Sequence, residues 1–202
     1  MNNGGKRAAI LKATEALIMG HMLQEVTVEQ VARAAHVSKG TIYTYFKDKD
    51  ELFFQLVNEG FEELCSRLGE CATGSSAFEE RVLAGCREVS KFFVKRRPLM
   101  RILTAQEGVG PGLRREMRDR WLQRRQLMVK AMAAILRPGQ EEGELRQDLS
   151  SETLAEMLLG MMRARGRRVM EFNNREELLS IEQVVDLFMS GAVIGGRAAT
   201  TA

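Results

Sequence analysis

Histidine is nearly absent from this chain of 202 residues, with only His21 and His36 present. Most acid–base schemes and many metal sites draw on that side chain, so two isolated copies argue against both. There is no Ser-His-Asp set, no phosphate-binding glycine loop and no pair of carboxylates in a pocket context, and the chain is expected not to be an enzyme and to need no cofactor or metal. Cysteine is scarce too. Cys65, Cys71 and Cys86 are odd in number and match no metal spacing. They suit a reducing compartment and read as small helix-packing residues; a redox sensor would need an exposed, low-pKa thiol. Three prolines leave room for long helices. Alternating β-branched runs are missing, which removes the reason to propose a sheet. No apolar run approaches the ~18–20 residues that span a bilayer. Lys12 and Glu15 also interrupt the place where a leader's apolar region would lie. The expectation is a cytoplasmic, all-α protein with no membrane partner.

What is present is ordinary in bulk and uneven in detail. Hydrophobic residues make up 45% and charged residues 28%, and the net charge is +3. Residues 1–50 carry seven basic and five acidic side chains, 51–86 two and seven, and 87–130 thirteen and four. Nucleic-acid binding cannot be argued from so small an N-terminal excess. It must rest on where the cations sit.

Helix starts are marked by capping boxes, in which an N-cap oxygen takes an orphan N–H and the residue three on reaches back. Thr27-x-x-Gln30, Asp48-x-x-Glu51, Ser76-x-x-Glu79 and Ser180-x-x-Gln183 fit this logic, and Ser38 and Ser150 or Ser151 are further caps. Breaks fall at Thr73-Gly74-Ser75, Gly108 to Gly112, Arg137-Pro138-Gly139 through Gly143, and Asn173-Asn174. About nine helices follow, over 5–20, 27–34, 38–45, 48–72, 76–96, 98–107, 111–137, 151–172 and 180–195.

Residues 27–52 are the most informative. Two short helical patterns lie back to back there, joined by the turn Ala35-His36-Val37-Ser38. Ile10, Ala13 and Leu17 from the first helix, Val28, Val31 and Ala32 from the second, and Val37 and Ile42 from the third would make a minimal core closed by Phe46 and Leu52. Lys39, Gly40, Thr41 and Thr44 are left pointing outward, short or flexible enough to approach base edges in a major groove. Tyr43 and Tyr45 can donate their hydroxyls to phosphate. Lys49 sits in a helix's first turn, where a cation is mildly unfavourable unless an anion is near. Thr27 is similarly placed for phosphate.

This stretch resembles the N-terminal DNA-binding domain of the TetR family of transcriptional regulators. The matching residues are Ile10-Leu11, Ala13, Thr27-Val28, Val31-Ala32 and Ala35. They continue through Val37-Ser38-x-Gly40-Thr41-x-Tyr43-x-Tyr45-Phe46 to Lys49 and Leu52. The resemblance implies a recognition helix over 38–45, with Thr27, Tyr43 and Lys49 on the DNA backbone and Lys39, Gly40, Thr41 and Thr44 nearest the bases. Two positions depart from the family pattern. His36 stands where glycine is common, and Met22-Leu23 replaces the usual Gly-Tyr. His tolerates positive φ better than most side chains, so the turn should survive with some strain.

The resemblance divides the chain into a DNA-binding domain over 1–50 and a helical ligand-binding and dimerisation domain over 51–202. It implies a dimer built from the last two helices. Leu154, Met157, Leu158 and Met161, then Val184, Phe188 and Gly191, form apolar stripes that suit this, although the same stripes could face the chain's own core. It also implies a ligand cavity, and Phe61, Phe92, Phe93, Met100, Leu103, Met117, Trp121 and Met128 are the candidate lining; a packed core would use the same residues. A methionine-rich lining can re-pack around varied apolar ligands. The basic residues Arg114 to Lys130 read chiefly as a solvated face, and the arginines at 163, 165, 167 and 168 as cations complementing a helix C-terminus. The implied protein is a homodimeric regulator, a repressor released from a palindromic double-stranded operator by an apolar or amphipathic small molecule. The alternative is a ligand-independent helical DNA-binding or protein-interaction module.

Overall fold

The computed structural model describes residues 3–20, 25–95, 115–171 and 179–192. Among these there are eight helices and no strand, so the chain is all-α: α1 (Asn3–Gly20), α2 (Val28–Ala34), α3 (Lys39–Tyr45), α4 (Lys49–Thr73), α5 (Phe78–Lys95), α6 (Arg115–Glu141), α7 (Ser151–Glu171) and α8 (Ile181–Ala192). The helix expected over 98–107, with Met100 and Leu103, lies outside the described residues. The chain forms two compact units, one of Met1–Phe61 and Arg96–Leu122, the other of Glu62–Lys95 and Gln123–Ala202. Helices α4 and α6 contribute residues to both.

In the first unit, α1, α2 and α3 enclose a small core of Ile10, Leu11, Ile18, Val26, Val28, Val31, Ala32 and Ile42, closed by Phe46, Leu52 and Phe53. The expected inner face of α1, Ile10-Ala13-Leu17, is rotated. Ala13 and Leu17 are only half-buried, while Leu11, Thr14 and Ile18 are buried. Thr14 can join an apolar stripe because its hydroxyl donates to the Ile10 carbonyl at 2.8 Å, leaving no polar group unsatisfied. Val37 is half-buried rather than an anchor; Ile42 fills that role alone. Arg7 joins α1 to α4, pairing with Glu59, donating to Gln55 at 3.3 Å and lying 5.8 Å from the Phe46 ring centroid.

The second unit holds the rest of α4 and α6 with α5, α7 and α8. Leu154, Ala155, Leu158, Leu159 and Met162 of α7 are buried, as are Val184, Val185, Phe188 and Met189 of α8. Two helix ends differ from the sequence reading. Ser76 was expected to cap α5, but the helix starts at Phe78 and its first bond runs from Arg81 N–H to Ala77 O at 3.1 Å. Phe78 is buried in that first turn, its ring against Gly139, where an added Cβ would lie 2.4 Å from the ring. Pro138 does not end α6; the helix runs on to Glu141 and closes at Gly143, whose φ of 77° a side chain would strain. Gln140 ties down the following loop. Its amide donates to Arg146 O (2.8 Å) and Leu149 O (2.9 Å) and accepts from the Ser151 hydroxyl (2.6 Å).

Candidate nucleic-acid interface

The turn between α2 and α3 is held by backbone bonds from His36 N–H to Arg33 O (3.2 Å) and from Val37 N–H to Ala32 O (2.9 Å), and the N-terminus of each helix is capped. Thr27 and Gln30 form a reciprocal capping box, Gln30 N–H to Thr27 Oγ1 at 3.2 Å and Thr27 N–H to Gln30 Oε1 at 2.7 Å. Ser38 caps α3 by accepting from Thr41 N–H at 3.0 Å. Between them His36 has φ 54°, the left-handed conformation that reverses the chain where glycine would be easier. Asp48 accepts from Glu51 N–H at 2.8 Å and sets the start of α4.

This framework leaves Thr27, Ser38, Lys39, Gly40, Tyr43 and Thr44 exposed and Thr41, Tyr45 and Lys49 half-buried. Tyr43 keeps 47% of its surface in solvent. The Ser38 and Thr41 hydroxyls are 2.8 Å apart, and Thr44 donates to Gly40 O at 3.0 Å. Lys49 Nζ lies 5.4 Å from the Phe53 ring centroid and the Tyr45 ring meets Phe46 at 6.4 Å. One contact escaped the sequence reading: the Lys39 ammonium is bonded to the Glu29 carboxylate of α2 and sits 6.0 Å from the Tyr43 ring centroid. That bond holds the Glu29 carboxyl below the usual carboxylate range and raises the lysine. A Glu ten residues before a Lys, across a turn, gave no periodic signal.

The other candidates lie elsewhere. Phe61, Phe92 and Met128 are buried, and Phe93 meets Phe92 edge-on at 5.5 Å. Met117 and Trp121 fall on α6. Leu154, Leu158, Val184 and Phe188 are buried within the single chain, so these four serve its own core. The outward side of the same helices carries Met157, 57% exposed, half-buried Met161, exposed Gly191 and Leu187, 57% exposed, which the sequence reading passed over. The described arginines of α6 meet glutamates: Arg120 with Glu51 (3.2 Å), Arg124 with Glu62 (3.5 Å), Arg125 with Glu156 (3.6 Å) and Arg137 with Glu152 (3.8 Å). Arg165 does more than complement a helix end, donating to Leu179 O at 2.7 Å and Ser90 Oγ at 3.4 Å. Burial raises all three thiols, Cys86 to about 12, opposite to what a redox sensor needs.

Two short helices joined by a tight turn, with a hydroxyl-rich second helix exposed, define a helix-turn-helix unit of the kind that reads DNA. Residues 10–56 match the family model described as bacterial regulatory proteins, tetR family. Over that stretch the chain is similar to the DNA-binding domain of the tetR family of transcriptional regulators. It is 29% identical over 161 residues, 77% of this chain and 75% of the other, to an uncharacterized HTH-type transcriptional regulator, YdeS, of Bacillus subtilis (strain 168). It is 26% identical, over 75% of each chain, to the HTH-type transcriptional repressor DhaR of Mycobacterium sp. (strain GP1). Among solved structures, the transcriptional regulator FadR from Bacillus subtilis in complex with stearoyl-CoA shares the fold. The TM-score is 0.74 at 22% identity, covering 91% of this chain and 98% of that one. No described helix is long and apolar enough to cross a membrane.

Proposed function

We propose that this chain is a cytoplasmic, homodimeric repressor that reads a palindromic DNA operator with α3 and leaves it when an apolar or amphipathic small molecule binds. Residues 1–50 would read DNA and residues 51–202 would hold the effector and the dimer contact. The observation that carries the DNA reading is the exposure of Tyr43, Thr44 and Gly40 on α3, a helix capped by Ser38 and preceded by α2 with its Thr27 cap. Tyr43, Thr27 and Lys49 would grip phosphate, while Ser38, Lys39, Gly40, Thr41 and Thr44 lie nearest the bases. The exposed faces of α7 and α8, with Met157, Met161, Leu187 and Gly191, support the dimer, since two linked readers match two half-sites about one helical turn apart. Within the second unit, buried Phe92 and Met128, with half-buried Phe93, suit an apolar ligand. The stearoyl-CoA held by the FadR relative makes a long-chain acyl thioester the first to try.

Such a ligand acts by population shift, and only to the extent that it binds the operator-competent and operator-incompetent conformations of the dimer unequally. The test is DNA binding over a salt titration, using an operator selected from random duplexes. Lys49→Ala weakens binding to every sequence and flattens the salt slope by about 0.9 per protomer, whereas Thr41→Ala changes preference at particular bases. Stearoyl-CoA added to the native complex releases the DNA. Variants that bind like the native protein throughout would overturn the site assignment, and a complex indifferent to acyl thioesters would remove that ligand class.

A further inference from the structure

Lys39 is the one basic residue of α3, and its ammonium is already engaged. It is bonded to Glu29 on α2 and lies 6.0 Å from the Tyr43 ring centroid, a contact that joins the two helices across the turn. Glu29 is exposed in the first turn of α2, two residues after Thr27, so this carboxylate stands beside the cap assigned to phosphate. An exposed ion pair contributes little to folding. Its consequence here falls on binding, because a carboxylate near phosphate is repelled unless a cation accompanies it.

We infer that Glu29 is a specificity-determining positioning residue: it neutralises Lys39 and keeps it against Tyr43, so that α3 meets the bases through hydroxyls rather than through a roaming cation. This rests on the DNA-reading assignment made above. A free lysine binds any phosphate and displaces counterions from every sequence alike. A lysine bonded to its own carboxylate adds no net charge, and sequence-blind affinity falls. The short hydroxyls are held before DNA arrives, Ser38 of the cap against Thr41 and Thr44 against the Gly40 carbonyl. Readout then depends on fit to base edges, where one mismatch is costly, rather than on charge, where none is.

The experiment is a double-mutant cycle on the full chain, read by fluorescence anisotropy with a labelled mixed-sequence duplex over a range of salt. Glu29→Gln should tighten binding to this duplex about fivefold per protomer at physiological salt and steepen the slope by about 0.9, the effect of one added phosphate contact. Lys39→Ala should lower the slope more in the Glu29→Gln background than in the native one. The ratio of selected-operator to mixed-sequence affinity should fall in Glu29→Gln, and thermal melting verifies that the variant is folded. Equal effects of Lys39→Ala in both backgrounds, or an unchanged slope in Glu29→Gln, would overturn the inference. Lys49→Ala in the same assay separates the two readings. If it flattens the slope while Glu29→Gln does nothing, only the role of Glu29 fails; if it does nothing, both fall.

Discussion

His36 shows how one residue sets the angle between two helices. At φ 54° it occupies a conformation that costs most L-residues about 1–2 kcal/mol. A β-branched side chain is worse placed there than histidine. His36→Val should therefore lower stability by about 1–3 kcal/mol and weaken DNA binding with it, whereas His36→Gly should fold normally. Urea melts of the two variants check this. The strain was legible in the sequence, because His36 stood alone in a turn where glycine is common. Thr14 was not. A hydroxyl looks polar in any pattern of apolar spacing, and only its bond back to Ile10 makes burial tolerable. The Glu29–Lys39 contact was hidden for a different reason: it joins two elements across a turn, and the helical period is silent about such pairs.

At the scale of elements, caps were the most readable feature and register the least. Thr27, Ser38, Asp48, Ser150 and Ser180 each accept from the backbone N–H three residues on, as their spacing implied. The Ser76 cap failed because burial of Phe78 against Gly139 decides where α5 begins. The Thr27 box fixes the entry to α2, so Thr27→Ala should cost about 1 kcal/mol in a thermal or urea melt, within a range of about 0.5–2. Gln140 carries a larger share. Gln140→Leu leaves two loop carbonyls and the Ser151 hydroxyl without that partner, and a loss of about 2–3 kcal/mol is expected from its urea midpoint. Amphipathic stripes on α7 and α8 were visible in sequence, but their outward side was not. Leu154 and Leu158 fill the chain's own core, leaving Met157 and Leu187 outside.

For the whole molecule, the helical class followed from scarcity of proline and absence of alternating β-branched runs, and the regulator class from one gapless stretch between Thr27 and Leu52. Effector identity has no comparable signature, because aromatic and methionine side chains look alike whether they line a cavity or fill a core. The proposed dimer face depends on which apolar surface stays exposed after folding, and only folded coordinates separate that surface from the core. The central claim is that α3 lies against DNA, and contact at a named position tests it most directly. A photo-crosslinking amino acid placed at exposed Thr44 should join the protein to its selected operator duplex on illumination, while the same group at exposed Glu79 of α5 should not. Crosslinks from position 79 with none from position 44 would contradict the account.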